Sequence, residues 1–532
     1  MKKIFMFLAL VPMITFAQER IMVIADPHVL AQSLVEEGEA FDAMMDNQRK
    51  MIDLSEQAWL ALMDTAMKYK PSLLLIPGDL TKDSEKASHE LVVNSLQQLR
   101  KEGINTFVIP GNHDIGGKAY GYKGSEKVEV ENLKDEEWES MYSLVYEQVI
   151  AKDTESHSYA AEPLPGLTIL GIDGSHNSAG TGSLSDNTLS WVLDQADKAV
   201  SKGNAIIAMT HWQLLEHFDM QGTLESACRL KNADAIRDSL MHHGIHALLT
   251  GHFHVNSISI YRDTTGVTND SIVEISTGSS ITYPCPYRWL TLSADRQDLS
   301  VETEEIKSLA TQPELTSYSR EWMRVHTENM IPELTVRAWN KAIDYMDKNG
   351  DKMGSVFGPT AVSVIKSSLP ADDATRIELT QKYFGSTLVD LYMVHSEANE
   401  NENAKSDSLA QEVYKGMDGM LHELTDETLG KTIMGICMFC EVQNFLIATA
   451  KDAATGPVQS LTEDITLYGT PHADQTNDLR ISLRISKPWS GETGMDTING
   501  DASSTSKFIK DGQLFIRRND QVFTIQGQKV TE

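Results

Sequence analysis

Five short apolar runs in this chain each end in residues of metal-ligand type. Residues 21–25 lead into Asp26-Pro27-His28, 73–76 into Gly78-Asp79, and 106–109 into Gly111-Asn112-His113-Asp114. Residues 206–209 lead into Thr210-His211, and 247–249 into Gly251-His252-Phe253-His254. A sixth run, 168–172, ends at Asp173, a carboxylate not assigned to metal. Imidazole and oxygen donors without a thiolate suit Zn, Fe, Mn or Co rather than Ca. Apolar runs of this length, bounded by Gly and Pro, read as buried strands. Open sheets collect their ligands at the carboxyl ends of strands. One sheet with its functional edge facing one way would therefore gather these side chains. Gly78, Gly111 and Gly251 precede candidate ligands, where the backbone must turn and crowd the site.

The ordered series D-x-H, G-D, G-N-H-D, H and G-H-x-H resembles the calcineurin-like metallophosphoesterase superfamily over roughly residues 20 to 300. Each fragment alone says little; the specificity lies in the whole series in order. The resemblance implies two metal ions, divalent or of mixed valence (Mn, Fe or Zn), with Asp79 as the shared bridge. It places Asp26, His28 and His254 on the first metal, and Asn112, His211 and His252 on the second. Two cations about 3.5–4 Å apart can neutralise a phosphate, acidify a water and orient its attack. The implied reaction is hydrolysis of a small phosphate ester by a metal-bound hydroxide. His113 would be the general acid, with Asp114 orienting its ring, and Asn112 and His113 would face the substrate. The stretches 78–86 and 108–115, with Gly278-Ser279-Ser280 and Tyr283-Pro284, resemble bacterial cyclic-nucleotide phosphodiesterases, which implies a phosphodiester substrate. Phosphomonoesterases, nucleotidases and hydrolases of phosphoproteins or phospholipids share the motifs, as would a non-catalytic binding protein on the same fold.

The chain has sixteen His, and those outside the series are read as ordinary residues. His242, His243 and His246 follow a helical segment and are expected to be solvated or capping. His157, His176 and His217 are secondary candidates for the pocket wall. Four Cys in 532 residues make no disulfide scaffold. Cys437 and Cys440 form a C-x-x-C within the apolar stretch 432–445, whose spacing predicts buried helix positions rather than a redox pair.

The elements that must position the site alternate strand with helix, at 53–68, 84–101, 185–202 and 230–243. This predicts an α/β layered domain over 19–304, with Ser185 as an N-cap and Gly203 as a stop. The superfamily's fold is a two-sheet sandwich flanked by helices. Residues 305–487 read as a mainly helical accessory region with short strands at 464–468 and 479–485. Helices are clearest at 319–348 and 406–424. Residues 488–506 read as a linker rich in Gly, Ser, Thr and Asp. Residues 507–532 alternate as a small β hairpin module and resemble, in brief form, the sorting tails of the type IX (Por) secretion system.

Lys2 and Lys3, an apolar stretch 4–16 and Ala17 read as a signal peptide over 1–17. The apolar part is short of the roughly 20 residues a span needs. Export is expected, to the periplasm, or to the cell surface or medium with the tail engaging secretion machinery. No integral membrane segment is expected after cleavage. The net charge is −30, more negative by two without the two leader Lys. Such a surface disfavours nucleic-acid polymers and anionic membranes. A small ester can still bind, because bound metal charge dominates locally.

Overall fold

The computed structural model describes residues 18–176, 181–218, 221–263, 270–357, 363, 366–398 and 406–425. Beyond these it describes residues 432–433, 436–437, 443, 447–448, 451, 465–467, 478–485, 505–510, 513–518, 521–524 and 529–530. The expected signal peptide, most of the expected linker and Cys440 lie outside them. The chain divides into two compact units, Met1–Pro488 and Trp489–Glu532.

The ligand-bearing runs do not share one sheet, which corrects the single-sheet reading of the runs and agrees with the two-sheet sandwich that the resemblance implies. A six-stranded sheet holds Arg480–Arg484, Asp298–Glu305, Pro286–Leu292, Glu19–Val23, Leu73–Ile76 and Asn105–Val108 in that order. An eight-stranded sheet holds Ile465–Leu467, Ser257–Arg262, Ser271–Ser276, Ala247–Thr250, Ala205–Thr210, Leu167–Ile172, Tyr159–Leu164 and Val149–Lys152. Parallel strands form the heart of each sheet. Glu19–Val23, Leu73–Ile76 and Asn105–Val108 run together in the first. Leu167–Ile172, Ala205–Thr210, Ala247–Thr250 and Ser271–Ser276 run together in the second.

Alternation along the strands explains the layering, because successive side chains leave opposite faces. Ile207 and Met209 join Leu73, Phe107 and Leu290 of the first sheet in the core between the sheets. Ile206 and Ala208 point the other way, against Val192 and Ala196 of helix Asp186–Ser201 and Ile236 and Leu240 of helix Ala233–His242. Helices Ser55–Tyr69 and Lys86–Lys101 bury Trp59, Leu62, Val92 and Leu96 in the first core. The helices at 53–68, 84–101, 185–202 and 230–243 are observed within three residues of their predicted ends. Ser185 caps as expected, its hydroxyl accepting the Thr188 N–H at 3.0 Å.

Beyond residue 305 the described helices are Leu315–Phe357, which contains Pro332, and Asp373–Phe384, Thr387–Glu397 and Ser406–Thr425. The same region also adds an edge strand to each sheet, Arg480–Arg484 antiparallel to Asp298–Glu305 and Ile465–Leu467 parallel to Ser257–Arg262. Within 432–445, expected as helix, Thr432–Ile433 and Ile436–Cys437 pair as antiparallel strands. The β-branched Thr432, Ile433 and Ile436 suit that conformation better than a helix. In the second unit, Thr505–Lys510, Gln513–Arg518, Gln521–Thr524 and Lys529–Val530 form an antiparallel four-stranded sheet. Among the described residues no helix is long and apolar enough to cross a membrane.

Arg288, fully buried, ties the two sheets together. Its guanidinium donates to the Asp478 carbonyl at 2.7 Å and, across the sandwich, to the Ser276 carbonyl at 2.9 Å. The Asp478 carboxylate in turn accepts the Ile258 N–H at 2.7 Å. Burial lowers the Arg288 pKa to about 10, opposed by the charge of Asp478. Removing the guanidinium would leave the buried Asp478 and Ser276 carbonyls without their donor, at about 1–3 kcal/mol for each group. Arg288→Ala should therefore lower the unfolding free energy by the sum of the two in urea titration, whereas a loss below about 1 kcal/mol would show that the link is dispensable.

Candidate metal centre

The carboxyl ends of both sheets' parallel strands deliver the expected ligands to one place. Asp26 and His28 follow strand Glu19–Val23, Asp79 follows Leu73–Ile76, and Asn112 follows Asn105–Val108. His211 follows Ala205–Thr210, and His252 and His254 follow Ala247–Thr250. Asp26, His28, Asp79 and His254 converge as one group with metal-ligand geometry, and Asp79, His211 and His252 as a second. Asp79 belongs to both.

The distances fit coordination. His28 Nε2 lies 3.1 Å from His254 Nε2 and 3.5 Å from Asp79 Oδ2. His254 Nε2 is 3.4 Å from Asp26 Oδ1. On the other side, His211 Nε2 is 3.3 Å from Asp79 Oδ2, 3.0 Å from Asn112 Oδ1 and 3.2 Å from His252 Nδ1. Ligand atoms about 2.0–2.2 Å from a common ion are separated by distances of this order. His211 Nδ1 meets the Pro77 carbonyl at 2.9 Å, which leaves Nε2 to act as a ligand. Burial is the leading cause holding His28, His252 and His254 below the usual imidazole value, so each offers a lone pair. Burial alone would raise the Asp79 pKa. His211, His113 and His28 outweigh it and hold the carboxyl well below the usual range.

The backbone is strained where it carries these groups. Asp26, His28, Asp79, His252 and His254 all have positive φ, between 40° and 64°. That region costs an ordinary residue roughly 1–2 kcal/mol, and such outliers concentrate at functional sites. Two glycines allow the close approach. A Cβ on Gly111 would lie 2.1 Å from Asp79 Oδ1, and one on Gly251 2.4 Å from Asp26 Oδ2.

The two residues beside Asn112 take different paths from those expected. The His113 N–H donates to Asp79 Oδ1 at 2.9 Å, which sets its ring at the edge of the site. Its Nδ1 meets Asp83 Oδ1 at 2.9 Å, so Asp83, not Asp114, holds the ring. Burial opposes ionisation of Asp83, but His113 and the Lys82 ammonium bring its carboxyl down to about 2. Asp114 turns inward and accepts the N–H groups of Gly111, Thr81 and Leu80 at 2.8, 2.9 and 3.1 Å. These buried N–H groups need an acceptor, and Asp114 joins the loop after Asp79 to the loop carrying Asn112. Burial first, then the charge of Asp79, push Asp114 up to about 6.

Other side chains settle into structural places. Asp173 accepts the N–H groups of His157, Ser175 and His176. His217 lies buried against Glu274 at 3.1 Å. His246 is buried with Nδ1 on the Ser271 carbonyl, while His243 pairs with Asp197 at 2.8 Å. Sequence reasoning missed Lys50. It is half-buried, and it acts electrostatically on His28 and His254 and is acted on by Asp79, Asp83 and Asp26. The helical region braces its loop. The Trp322 indole donates to the Gln48 carbonyl at 3.2 Å, and the Arg49 guanidinium sits 4.8 Å from the Tyr392 ring centroid. The same region reaches the site's far side through Tyr283 Oη to Glu397 at 2.9 Å and Phe253 against His395 at 5.8 Å.

Residues 19–256 match the calcineurin-like phosphoesterase family. The chain contains a calcineurin-like phosphoesterase domain. A protein of Arcobacter nitrofigilis, named as a probable glycerophosphodiester phosphodiesterase, is 27% identical over 199 residues. The match covers 37% of this chain and 61% of that relative, short of two thirds of its length. Among solved structures, a dimetal phosphatase from Danio rerio is 12% identical with a TM-score of 0.37, covering 54% of this chain and 95% of that one. A purple acid phosphatase from yellow lupin seeds is 12% identical with a TM-score of 0.34, covering 55% and 52%. Phosphoesterases of this family are metal-dependent, and the two ligand groups joined at Asp79 fit a dimetal centre. The donor set of imidazoles, carboxylates and one carboxamide leaves the metal's identity open among Mn, Fe and Zn.

Without metal, burial disfavours a charged His211, yet Asp79 and Asp26 raise it to about 9. His211 is then protonated near neutral pH, and a metal ion needs its lone pair. Filling the chelator-stripped protein with Zn²⁺ should therefore release at least one proton per chain. A pH-indicator titration in weak buffer measures this, and uptake with no proton release would contradict the account of His211.

Proposed function

We propose that this chain is an exported, metal-dependent hydrolase of a small phosphodiester. The observation that carries the reading is Asp79, common to both ligand groups. A carboxylate with that double neighbourhood suits a pair of cations better than a single one. Asp26, His28 and His254 would hold one ion with Asp79, and Asn112, His211 and His252 the other. Bound there, the ions would neutralise the phosphate and acidify and orient the attacking water.

The chain's own residues supply the rest. His113 would give its proton to the departing oxygen, with Asp83 Oδ1 at 2.9 Å from Nδ1 orienting the ring. Asn112 lies beside His113, where a bound phosphate oxygen would meet it. The Lys50 ammonium offers a positive charge toward the same space and would bind the ester's anion. The relative named as a probable glycerophosphodiester phosphodiesterase supports the diester over the monoester. The apolar leader and the terminal β unit support export to the periplasm or beyond.

The direct test pairs p-nitrophenyl phosphate with bis-p-nitrophenyl phosphate on the mature, Mn-loaded chain. Faster turnover of the diester, abolished by Asp79→Asn, is expected. Preference for the monoester would move the substrate to a phosphatase or nucleotidase class. No turnover of either with two ions bound would overturn the reading for simple esters.

The leaving-group series tests His113. His113→Ala should lower kcat by about 10²-fold or more on an alkyl ester, the usual scale for a general acid. The loss on a p-nitrophenyl ester should be smaller, because that group departs without a proton. Asp83→Asn should follow the same pattern more weakly, with KM unchanged. Equal losses on both leaving groups would remove the proton-donor role.

A further inference from the structure

Away from the Asp79-centred groups, Asp135, His157 and His176 form a third cluster whose ligating atoms all lie within 4.8 Å of one another. Asp135 Oδ1 is 3.2 Å from His157 Nε2 and 3.1 Å from His176 Nδ1. Four ligands on a tetrahedral zinc at about 2.0–2.1 Å stand about 3.3 Å apart, so these separations suit a common ion. The two imidazoles meet edge to face, with centroids 5.5 Å apart and planes at 86°. That lets both rings aim a nitrogen at one point beside the carboxylate.

The three residues come from separate stretches of chain, and each is fixed independently. Asp135 opens the short turn Asp135–Glu137, which is closed by Glu137 accepting the Lys134 N–H at 3.1 Å. His157 precedes strand Tyr159–Leu164, and its carbonyl accepts the Tyr146 hydroxyl at 2.9 Å. His176 follows strand Leu167–Ile172. Buried Asp173 holds the last two together, accepting the His157 N–H at 3.1 Å and the His176 N–H at 3.0 Å on its two oxygens. The far nitrogen of His157, Nδ1, is buried without a partner, so every polar contact of that ring lies on the cluster side. Two imidazoles and a carboxylate, with no thiolate, are donors for Zn²⁺ and its neighbours.

We propose that Asp135, His157 and His176 form a third metal site, of the zinc class, separate from the Asp79 centre. Asp135 and His176 are partly exposed, at 36% and 24% of their side-chain surface, so a fourth position faces solvent. An ion here would hold the stretch Asp173–His176 in place. That stretch touches the Asp79 centre indirectly. Ser175 Oγ accepts the Trp212 indole N–H at 3.0 Å, and the Trp212 ring lies 4.1 Å from that of His252.

Metal counting on the full mature chain tests this independently of activity. The chain is stripped with chelator, titrated with Zn²⁺, dialysed and analysed for bound metal. Three equivalents are expected, falling to two in Asp135→Asn and in His176→Gln, while Asp79→Asn retains one. Both cluster variants change partly exposed side chains, and circular dichroism checks their folding. Loss of a ligand should weaken the third equivalent beyond the roughly 100-fold seen when only a supporting residue is removed. Two equivalents in the unaltered chain that both persist in the cluster variants would overturn the site. So would a third equivalent that persists in both cluster variants, since it would then sit elsewhere. Failure of the dimetal reading has its own signature, in which one equivalent remains in the unaltered chain and is lost with His176→Gln.

Discussion

The carboxylate of Asp79 is the contact on which the rest of the centre depends. One oxygen accepts the His113 N–H at 2.9 Å, and the other lies 3.3 Å from His211 and 3.5 Å from His28. It therefore faces ligands from both sheets while fixing the backbone that carries the proposed acid. A buried anion needs compensating charge, and here that compensation comes from whatever the surrounding imidazoles hold, a proton on His211 or a pair of metal ions. The sandwich serves this arrangement. Strands of two sheets end at one edge, and each sheet supplies ligands that the other lacks.

The cost of that convergence is written into the backbone. Five of the ligand residues adopt conformations that favour glycine, and two real glycines stand where any side chain would strike a carboxylate. Strain of this kind persists only where neighbouring contacts fix the loop. Asp114 is one such contact, joining two ligand loops through three backbone N–H groups. Ser279 is another, its hydroxyl donating to the Asp26 carbonyl at 2.7 Å. The helical region adds a brace from outside, through Trp322, Arg49 and Tyr392 on the loop that carries Lys50. It also touches the chain next to the His252 and His254 ligands, where His395 meets Phe253.

The ligand runs were legible in the sequence because strand ends carry local signals, an apolar run followed by Gly, Asp or His. Helix 186–201 was legible because Ser185 and the apolar spacing agree. What was not legible depends on folding at a distance. Which sheet a strand joins is decided by partners far along the chain, so the five ligand runs read by themselves as one sheet, and only the resemblance pointed to two. Asp83 holds the His113 ring from 30 residues away, whereas Asp114 is adjacent in sequence and faces inward. Adjacency favours the wrong residue, since neighbours on a turn leave it in different directions. Lys50 carries no motif at all, and only the loop path brings it near His28 and His254. Residues 432–437 have helical spacing but β-branched side chains, and tertiary pairing prevailed over periodicity.

Electron paramagnetic resonance of the Mn²⁺-loaded chain tests the shared carboxylate most directly. Two ions bridged by Asp79 should give a spin-coupled spectrum, distinct from that of isolated Mn²⁺. Asp79→Asn should lose the coupled signal whether or not some manganese stays bound. A wild-type chain that holds two or more Mn²⁺ and shows only isolated-ion signals would contradict a bridged centre.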